Sequence, residues 1–261
     1  MRLAKMRSLI RWTVKLGVMS SAVLGTWFIT SLPAWAIPRD EMLKILESVP
    51  MFAITDPEGA PLVQNLDQNR GLVNVFLSPS QAQTLLEELR AQKPEVGNRV
   101  SVSLVSLDET FLFAEANEES GLLLNYIPTQ TQLEYAQRVW TNQRRPDQPE
   151  QFPGTPLFIA RAGANQNYLS YRRGDSEEVV PFFFDPVRLD EVVSDLIAQD
   201  PSVQGTITVE VVPLEGVLKT LEADDDPDLG RIELVPLRET IEFINANSPQ
   251  NSTAPAGSAG N

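Results

Sequence analysis

The sequence predicts an α+β fold built from two pseudo-symmetric repeats, each a small mixed or antiparallel sheet with flanking helices. The first observation is an internal duplication, because residues 73–109 and 180–216 align without a gap and are identical at 11 of 37 positions. The second is that both copies contain an apolar run, an amphipathic stretch, a proline and an alternating strand in the same order. A repeat of this length indicates two halves with the same chain path.

A secretory signal peptide is predicted at residues 1–36. The segment opens with five basic residues, continues with the apolar or small run Leu16–Ile29, and ends in the small-x-small sequence AWA. This order is typical of secretory signals, and the apolar run is too short for a permanent membrane helix. Cleavage between Ala36 and Ile37 would leave a mature chain of 225 residues, with an uncleaved anchor as the alternative.

The net charge of the chain disfavours nucleic acid and anionic lipid as binding partners. The chain has 21 Lys and Arg against 35 Asp and Glu, and the predicted signal carries five of the basic residues and no acidic one. The mature chain would therefore have 16 basic residues and a net charge of −19. That charge opposes binding to nucleic acid and to anionic lipid, although a peripheral association with membranes is left open. Because there is no Cys, the core must hold by packing without disulfides.

Several kinds of chemistry are excluded by residue type. The chain has no His and no Cys, which removes Ser–His–Asp and Cys–His catalysis and most zinc or iron sites. It also lacks a Gly-rich phosphate loop. We therefore expect a non-enzymatic protein without a cofactor, with a carboxylate-based extracytoplasmic hydrolase as the alternative. The acidic run Asp224–Asp228 does not have EF-hand spacing, and its two interpretations are a solvated loop and a weak calcium site.

The first elements of each half are short. Residues 37–48 have the spacing of an amphipathic helix. Met51–Ile54 and Pro61–Val63 flank a turn and are predicted to pair as a hairpin. Residues 156–171 repeat the hairpin pattern in the second half.

The duplicated block predicts a strand followed by a capped helix. Val73–Leu77 is an apolar run typical of a buried strand. Ser78 stands where an N-cap belongs, with Pro79 at the first helical position and Gln81 where a capping box needs it. Asp185–Pro186 repeats the cap and the proline in the second copy.

The two helices and the strands after them match position by position. Apolar residues at helical spacing define the buried faces: Ala82, Leu85, Leu86 and Leu89 in one copy, and Leu189, Val192, Val193 and Leu196 in the other. Pro94 and Pro201 are predicted to end the helices. Alternating strands follow at Val100–Leu104 and Ile207–Val211, and the helical crossover would allow the first of these to pair in parallel with Val73–Leu77.

Domain boundaries follow from the repeat. The first half is predicted at residues 37–140 and the second at 156–245, separated by a polar, proline-containing linker at 141–155. Residues 246–261 are small and polar, which predicts a disordered tail. The pattern leaves open whether the halves share one sheet.

Apolar residues outside the duplicated frame are the candidates for a binding surface. Phe182–Phe184 is predicted to be a core strand, with an exposed groove as the alternative. The short helices after each alternating strand also carry clustered apolar residues, and a helix so short cannot bury three consecutive bulky side chains on one face. We therefore predict a client-binding groove formed by Phe111, Leu112, Phe113, Val217, Leu218 and Leu221.

The sequence also resembles a known family. The segments that carry the resemblance are VPMFAITDPEGAPLV, VFLSPSQAQTLLEEL, TPLFIA, VVPFFFDPVRLDEVV, VEVVPLEGVLKTL and IELVPLRETIEF. In their order and spacing they are similar to the Tic22 family in its cyanobacterial form, from about residue 49 to 244. No segment is a catalytic fingerprint.

The resemblance implies a non-enzymatic, chaperone-like protein-transport factor. Cyanobacterial relatives are periplasmic, with a pool in the thylakoid lumen also proposed, and support outer-membrane protein biogenesis with an Omp85-type insertase. The implied partners are therefore unfolded or outer-membrane client proteins and the Omp85-type barrel protein, with apolar client segments bound in hydrophobic grooves. A structural scaffold of an envelope complex is the alternative within the same setting.

Overall fold

The computed structural model describes residues 37–67, 70–173, 177–223 and 226–248. The predicted signal peptide, Asp224, Asp225 and residues 249–261 lie outside these ranges. Ile37, the first residue after the predicted cleavage position, lies inside them and is buried in the core.

Both halves contain the predicted order of strands and helices. The first comprises α1 (Arg39–Glu47), β1 (Pro50–Thr55), β2 (Val63–Asn65), β3 (Gly71–Phe76), α2 (Pro79–Gln92), α3 (Pro94–Gly97), β4 (Ser101–Ser106), α4 (Leu107–Ala116), β5 (Leu122–Ile127) and α5 (Gln130–Gln143). The second comprises β6 (Pro156–Ala162), β7 (Asn167–Tyr168), β8 (Tyr171–Arg173), β9 (Glu177–Phe183), α6 (Pro186–Gln199), β10 (Thr208–Pro213), α7 (Leu214–Ala223), β11 (Ile232–Val235) and α8 (Arg238–Asn247).

The strands form two separate sheets of mixed direction. The first sheet has the order β5–β3–β1–β4, with β2 beside β1 on the same edge of β3. The second has the order β11–β9–β6–β10, with β7 on β6 and β8 on β9. In each sheet one parallel pair, β3 with β5 or β9 with β11, is joined to antiparallel neighbours. The predicted α+β fold is confirmed.

One predicted strand pairing is wrong, and the first predicted hairpin is shorter than expected. β3 and β4 are not neighbours, because β1 lies between them and pairs antiparallel with β4 along its whole length. The helical crossover therefore passes over β1. The first hairpin is reduced to one bridge between Thr55 and Pro61, since β2 pairs with β3. A period-2 pattern says which face of a strand is buried but does not select its neighbour.

The cap positions are confirmed, but one capping box is not. Ser78 precedes α2, yet its Oγ lies 3.0 Å from both carboxylate oxygens of Glu239, to which it donates. Gln81 donates instead to the carbonyl of Pro128 at 3.1 Å. Asp185 caps α6 as predicted, accepting from the backbone N–H groups of Val187 and Arg188. The Ser78 hydroxyl thus donates to Glu239, in the other half, and accepts no backbone N–H of α2 as a capping box requires.

Each half contributes its last helix to the sheet of the other half. α5 packs on β6 and β10, whereas α8 packs on β1 and α2. Tyr135 of α5 meets Phe158 edge-on with ring centroids 5.1 Å apart, and Phe243 of α8 meets Phe52 edge-on at 5.5 Å. Both pairs occupy equivalent positions of the repeat. The two sheets are therefore completed only by exchange of helices.

Buried hydrogen bonds hold the exchanged helices in place. Gln132 Nε2 donates to the carbonyl of Phe184 at 2.9 Å, and Thr240 Oγ1 donates to the carbonyl of Leu77 at 2.6 Å. These residues are again equivalent in the repeat. Gln132 Oε1 also accepts the backbone N–H of Thr129 at 2.8 Å, which completes a capping box for α5. Because the side chains of Gln132 and Thr240 are buried, water cannot replace these bonds.

Replacing Gln132 with Leu tests this contact. The variant Gln132→Leu leaves the buried carbonyl of Phe184 without its donor, so the free energy of unfolding is expected to fall by about 1–3 kcal/mol. Urea titration followed by circular dichroism measures it. The control Gln130→Leu changes an exposed position of the same turn and is expected to stay within about 0.5 kcal/mol of wild type. Equal effects of the two substitutions would contradict the role of Gln132.

Candidate functional site

The two short helices of the predicted groove start in the same way. α4 and α7 follow directly from the outer strands β4 and β10. Leu107 N–H donates to the carbonyl of Val49 at 2.9 Å, and Leu214 N–H donates to the carbonyl of Thr155 at 2.7 Å. α4 also has a capping box, in which the Glu109 carboxylate accepts the N–H of Ser106 at 2.8 Å. These bonds fix the first turn of each helix, and both helices contribute side chains to the same apolar cluster.

The structure brings five of the six predicted groove residues to one apolar cluster and leaves the sixth, Leu112, outside it. Val217, Leu218 and Leu221 are buried, and Leu218 is only 8% exposed. Their spacing places all three on one face of α7, so the helix can bury them together. Phe111 and Phe113 are partly buried against the same cluster, while Leu112 between them is 36% exposed. Three consecutive helical side chains span too wide an arc to be buried together.

α1 covers this cluster. It packs against both α4 and α7, and its Met42 and Leu46 side chains are buried in the same cluster. Arg39 of α1 pairs with Glu115 of α4, with Nη1 donating to Oε1 at 2.9 Å. The hydrogen bond from Arg39 lowers the pKa of the Glu115 carboxyl. The surface that the sequence predicts for a client is thus occupied by an amphipathic helix of the chain itself.

An open cleft of about 720 Å³ lies beside α1. Its walls come from α1, β8, β11 and α8, and they combine apolar and charged side chains. Ile45, Ile232 and Ile241 supply apolar surface. The charged lining contains both signs: Lys44, Arg173, Asp40, Glu41 and Glu233. Sequence reasoning missed the cleft because the lining comes from elements far apart in the chain, and only Tyr171 and Ile241 stand out as exposed apolar residues.

Phe182–Phe184 and the acidic run Asp224–Asp228 each had two interpretations, and the structure decides only the first. Phe182, Phe183 and Phe184 are buried core residues, as the first interpretation predicted. No group of three or more acidic residues is placed to hold a metal ion within the described ranges. Asp226 caps the turn that follows, and Asp228 pairs with Arg231 at 3.5 Å. Weak calcium binding at Asp224–Asp228 stays a prediction, because two of these residues lie outside the described part of the chain.

Comparison with protein families identifies the chain. The family model for Tic22, described as the Tic22-like family, matches residues 3–245. The chain belongs to the Tic22-like family. This confirms the resemblance carried by the sequence segments. A comparison with curated proteins gave no significant match.

Solved structures of Tic22 proteins share the fold. Tic22 from Anabaena, described as a protein of protein transport, superposes with a TM-score of 0.70 at 23% identity, covering 80% of this chain and 97% of its own. Tic22 from Plasmodium falciparum superposes with a TM-score of 0.60 at 15% identity, covering 78% of this chain and 96% of its own. In the part of the Tic22-like chain that the structure describes, no helix has the length and apolar character to cross a membrane.

Proposed function

We propose that this chain is a non-enzymatic, chaperone-like transport factor that binds apolar segments of client proteins. Its place of action is the periplasm, with a pool in the thylakoid lumen, where it supports outer-membrane protein biogenesis with an Omp85-type insertase. Membership of the Tic22-like family and the description of the Anabaena protein support a role in protein transport. The predicted signal peptide supports export, and the strongly acidic mature chain would keep a loaded complex in solution.

The observation that carries the proposal is the packing of α1 on α4 and α7. α1 buries Met42 and Leu46 on this surface, so the surface accepts an amphipathic segment. The Arg39–Glu115 ion pair at its edge is exposed, and such pairs contribute little in water. A client segment that offers similar apolar area replaces the burial lost when α1 leaves. The client therefore takes the place of α1 and uses Phe111, Leu112, Phe113 and the face of α7.

Crosslinking α1 to α4 tests this function. The chain has no Cys, so Arg39→Cys with Glu115→Cys can be joined by a flexible bismaleimide without side reactions. Wild type and the unlinked double variant are expected to suppress light scattering by a heat-aggregating client. The linked protein is expected to lose most of this protection, because α1 can no longer leave.

A second crosslink provides the control. Arg188 of α6 and Arg238 of α8 both contact Glu191, so Arg188→Cys with Arg238→Cys places the same linker away from α1. This protein is expected to protect the client as wild type does. Full protection by the α1–α4 crosslinked protein would show that α1 is not displaced. A wild-type protein that protects no client would contradict the chaperone role itself.

A further inference from the structure

The outer strand of the first sheet has an open edge. β4 pairs only with β1 among the described strands. Leu107 N–H donates to the carbonyl of Val49, which belongs to the same antiparallel ladder. Since bonding direction alternates along an antiparallel pair, the backbone groups of Ser103 and Val105 point to β1. Those of Val102 and Leu104 point away from the sheet.

The chain itself closes the equivalent edge of the second sheet. On β10, the side-chain amide of Gln143 accepts the N–H of Val211 at 3.0 Å and donates to its carbonyl at 2.6 Å. Trp140, one turn earlier in α5, is buried and stacks edge-on with Phe152 at 5.5 Å. Val211 is only 1% exposed as a result. An amide and two aromatic rings therefore cover both the backbone and the apolar face of β10.

No matching cover lies on β4 within the described residues. Leu104 is the repeat equivalent of Val211, yet it is 55% exposed, and its outward N–H and C=O have no partner within the described residues. The cause lies in α8, which ends at Asn247 and carries Asn247 and Ser248 where α5 carries Val139 and Trp140. The described part of this exchanged helix is therefore too short and too polar to cover Leu104.

β4 also lacks the usual protection of an edge strand. Exposed edges in proteins are commonly blunted by charged residues, prolines or bulges. The sequence of β4 is SVSLVS, without charge or proline. β10 has Glu210 and ends in Pro213, in addition to its cover. An unprotected edge beside an exposed Leu has the features of a site for strand addition.

We propose that the outer edge of β4 docks an extended segment of another protein that carries apolar side chains at alternate positions. The segment adds a strand to the first sheet by bonding the outward groups of Val102 and Leu104, and its apolar side chains pack on Leu104. Two other occupants fit less well. Residues 249–261 contain no Val, Leu, Ile, Met or aromatic residue, and a second copy of the predicted mature chain, with its net charge of −19, is repelled.

This site is separate from the surface under α1. Leu104 lies opposite Phe52 in the register and shares its face of the sheet with Val102 and Ile54. α1 packs with the cluster that contains Val105, on the other face. Strand addition at β4 therefore needs no movement of α1, and it goes beyond the client binding proposed above.

Binding of a labelled peptide to the mature chain tests the proposal. The probe is a fluorescein-labelled ten-residue peptide of alternating Val and Thr, and fluorescence anisotropy measures its dissociation constant. Leu104→Pro removes an N–H that makes no bond to β1, so it is expected to weaken binding by about tenfold or more while the ladder stays intact. Leu104→Lys, which places a charge on the edge, is expected to act in the same direction should the proline variant fold poorly.

Matched controls distinguish binding at the β4 edge from nonspecific hydrophobic binding of the peptide. Val187→Ala changes an equally exposed apolar residue on α6 and is expected to leave binding unchanged. Exchange of the Leu104 amide hydrogen is expected to slow by about tenfold or more when the peptide is bound. The α1–α4 crosslinked protein is expected to bind the peptide normally, whatever its effect on client aggregation.

Three results would overturn the inference. The first is equal binding of the peptide to wild type and both Leu104 variants. The second is an unchanged exchange rate of the Leu104 amide in the bound state. The third is a dimer in sedimentation velocity that disappears in Leu104→Lys, because the edge would then serve a second copy of this chain.

Discussion

Cutting the chain between Pro146 and Asp147 is expected to give two fragments that fold only when they are mixed. The bond lies in an exposed turn of the predicted linker. Fragment 37–146 keeps the first sheet but lacks α8, and fragment 147–261 keeps the second sheet but lacks α5. Each sheet then exposes the aromatic face, at Phe52 or Phe158, that the exchanged helix normally covers. Uncovered faces of this kind cannot offset the entropy of folding.

Calorimetry measures the thermal transition of each fragment, and sedimentation velocity measures their association. Neither fragment alone is expected to show a cooperative thermal transition, whereas an equimolar mixture is expected to form a one-to-one complex with a single transition. A substitution in α8 supplies the control. Phe243→Asp in the second fragment should prevent assembly, while Ile241→Asp, at a position that is already exposed, should not. A fragment that unfolds cooperatively by itself would show that the halves are independent domains.

Leu218→Asp is expected to unfold the protein under conditions where Leu112→Asp does not. Leu218 is buried in the cluster under α1, so the substitution removes apolar burial and places a carboxylate among apolar side chains. The expected loss in the free energy of unfolding is about 4 kcal/mol or more, a large share of the stability of a typical domain. Leu112 is 36% exposed, and its substitution is expected to cost less than about 1 kcal/mol.

Urea unfolding followed by tryptophan fluorescence compares the two variants. The comparison matters for the proposed function, since a loss of client protection in Leu218→Asp would report unfolding. The same loss in Leu112→Asp would report the binding surface. Equal stability of the two variants would contradict the burial of the α7 face. A conservative change, Leu218→Met, is expected to keep both stability and client protection.

Local structure was predicted well wherever its cause lies within a few residues. The buried faces of α2 and α6 follow from apolar spacing, and Pro94 and Pro201 mark their ends because proline cannot continue a helix. Asp185 caps α6 because its carboxylate reaches N–H groups two and three residues ahead. The sequence also predicts that Phe111, Leu112 and Phe113 cannot all be buried on one face of α4, but it does not say which of them is exposed. Each of these results depends on contacts within about one helical turn.

Contacts between segments far apart in the chain were not predicted from local sequence patterns. Ser78 has the sequence context of a capping box, but Glu239 is the group that its hydroxyl meets. β3 and β4 have the crossover of a parallel pair, but β1 lies between them. Five of the six predicted groove residues lie in one cluster, but the sequence does not say that α1 packs over them. In each case the competing partner lies far away in the chain.

The sequence by itself determined the duplication, the order of elements in each half, the α+β class and the family. These features depend on the local spacing of apolar residues, on capping residues and on residue types. None of these needs a contact between distant parts of the chain. Only the tertiary structure decided the strand order, the exchange of α5 and α8, the position of α1 and the open edge of β4. Those features depend on which apolar faces pack against each other. Burial of apolar area is favourable for any well-fitting pair of faces, whatever their distance along the chain, so local sequence does not select the pair.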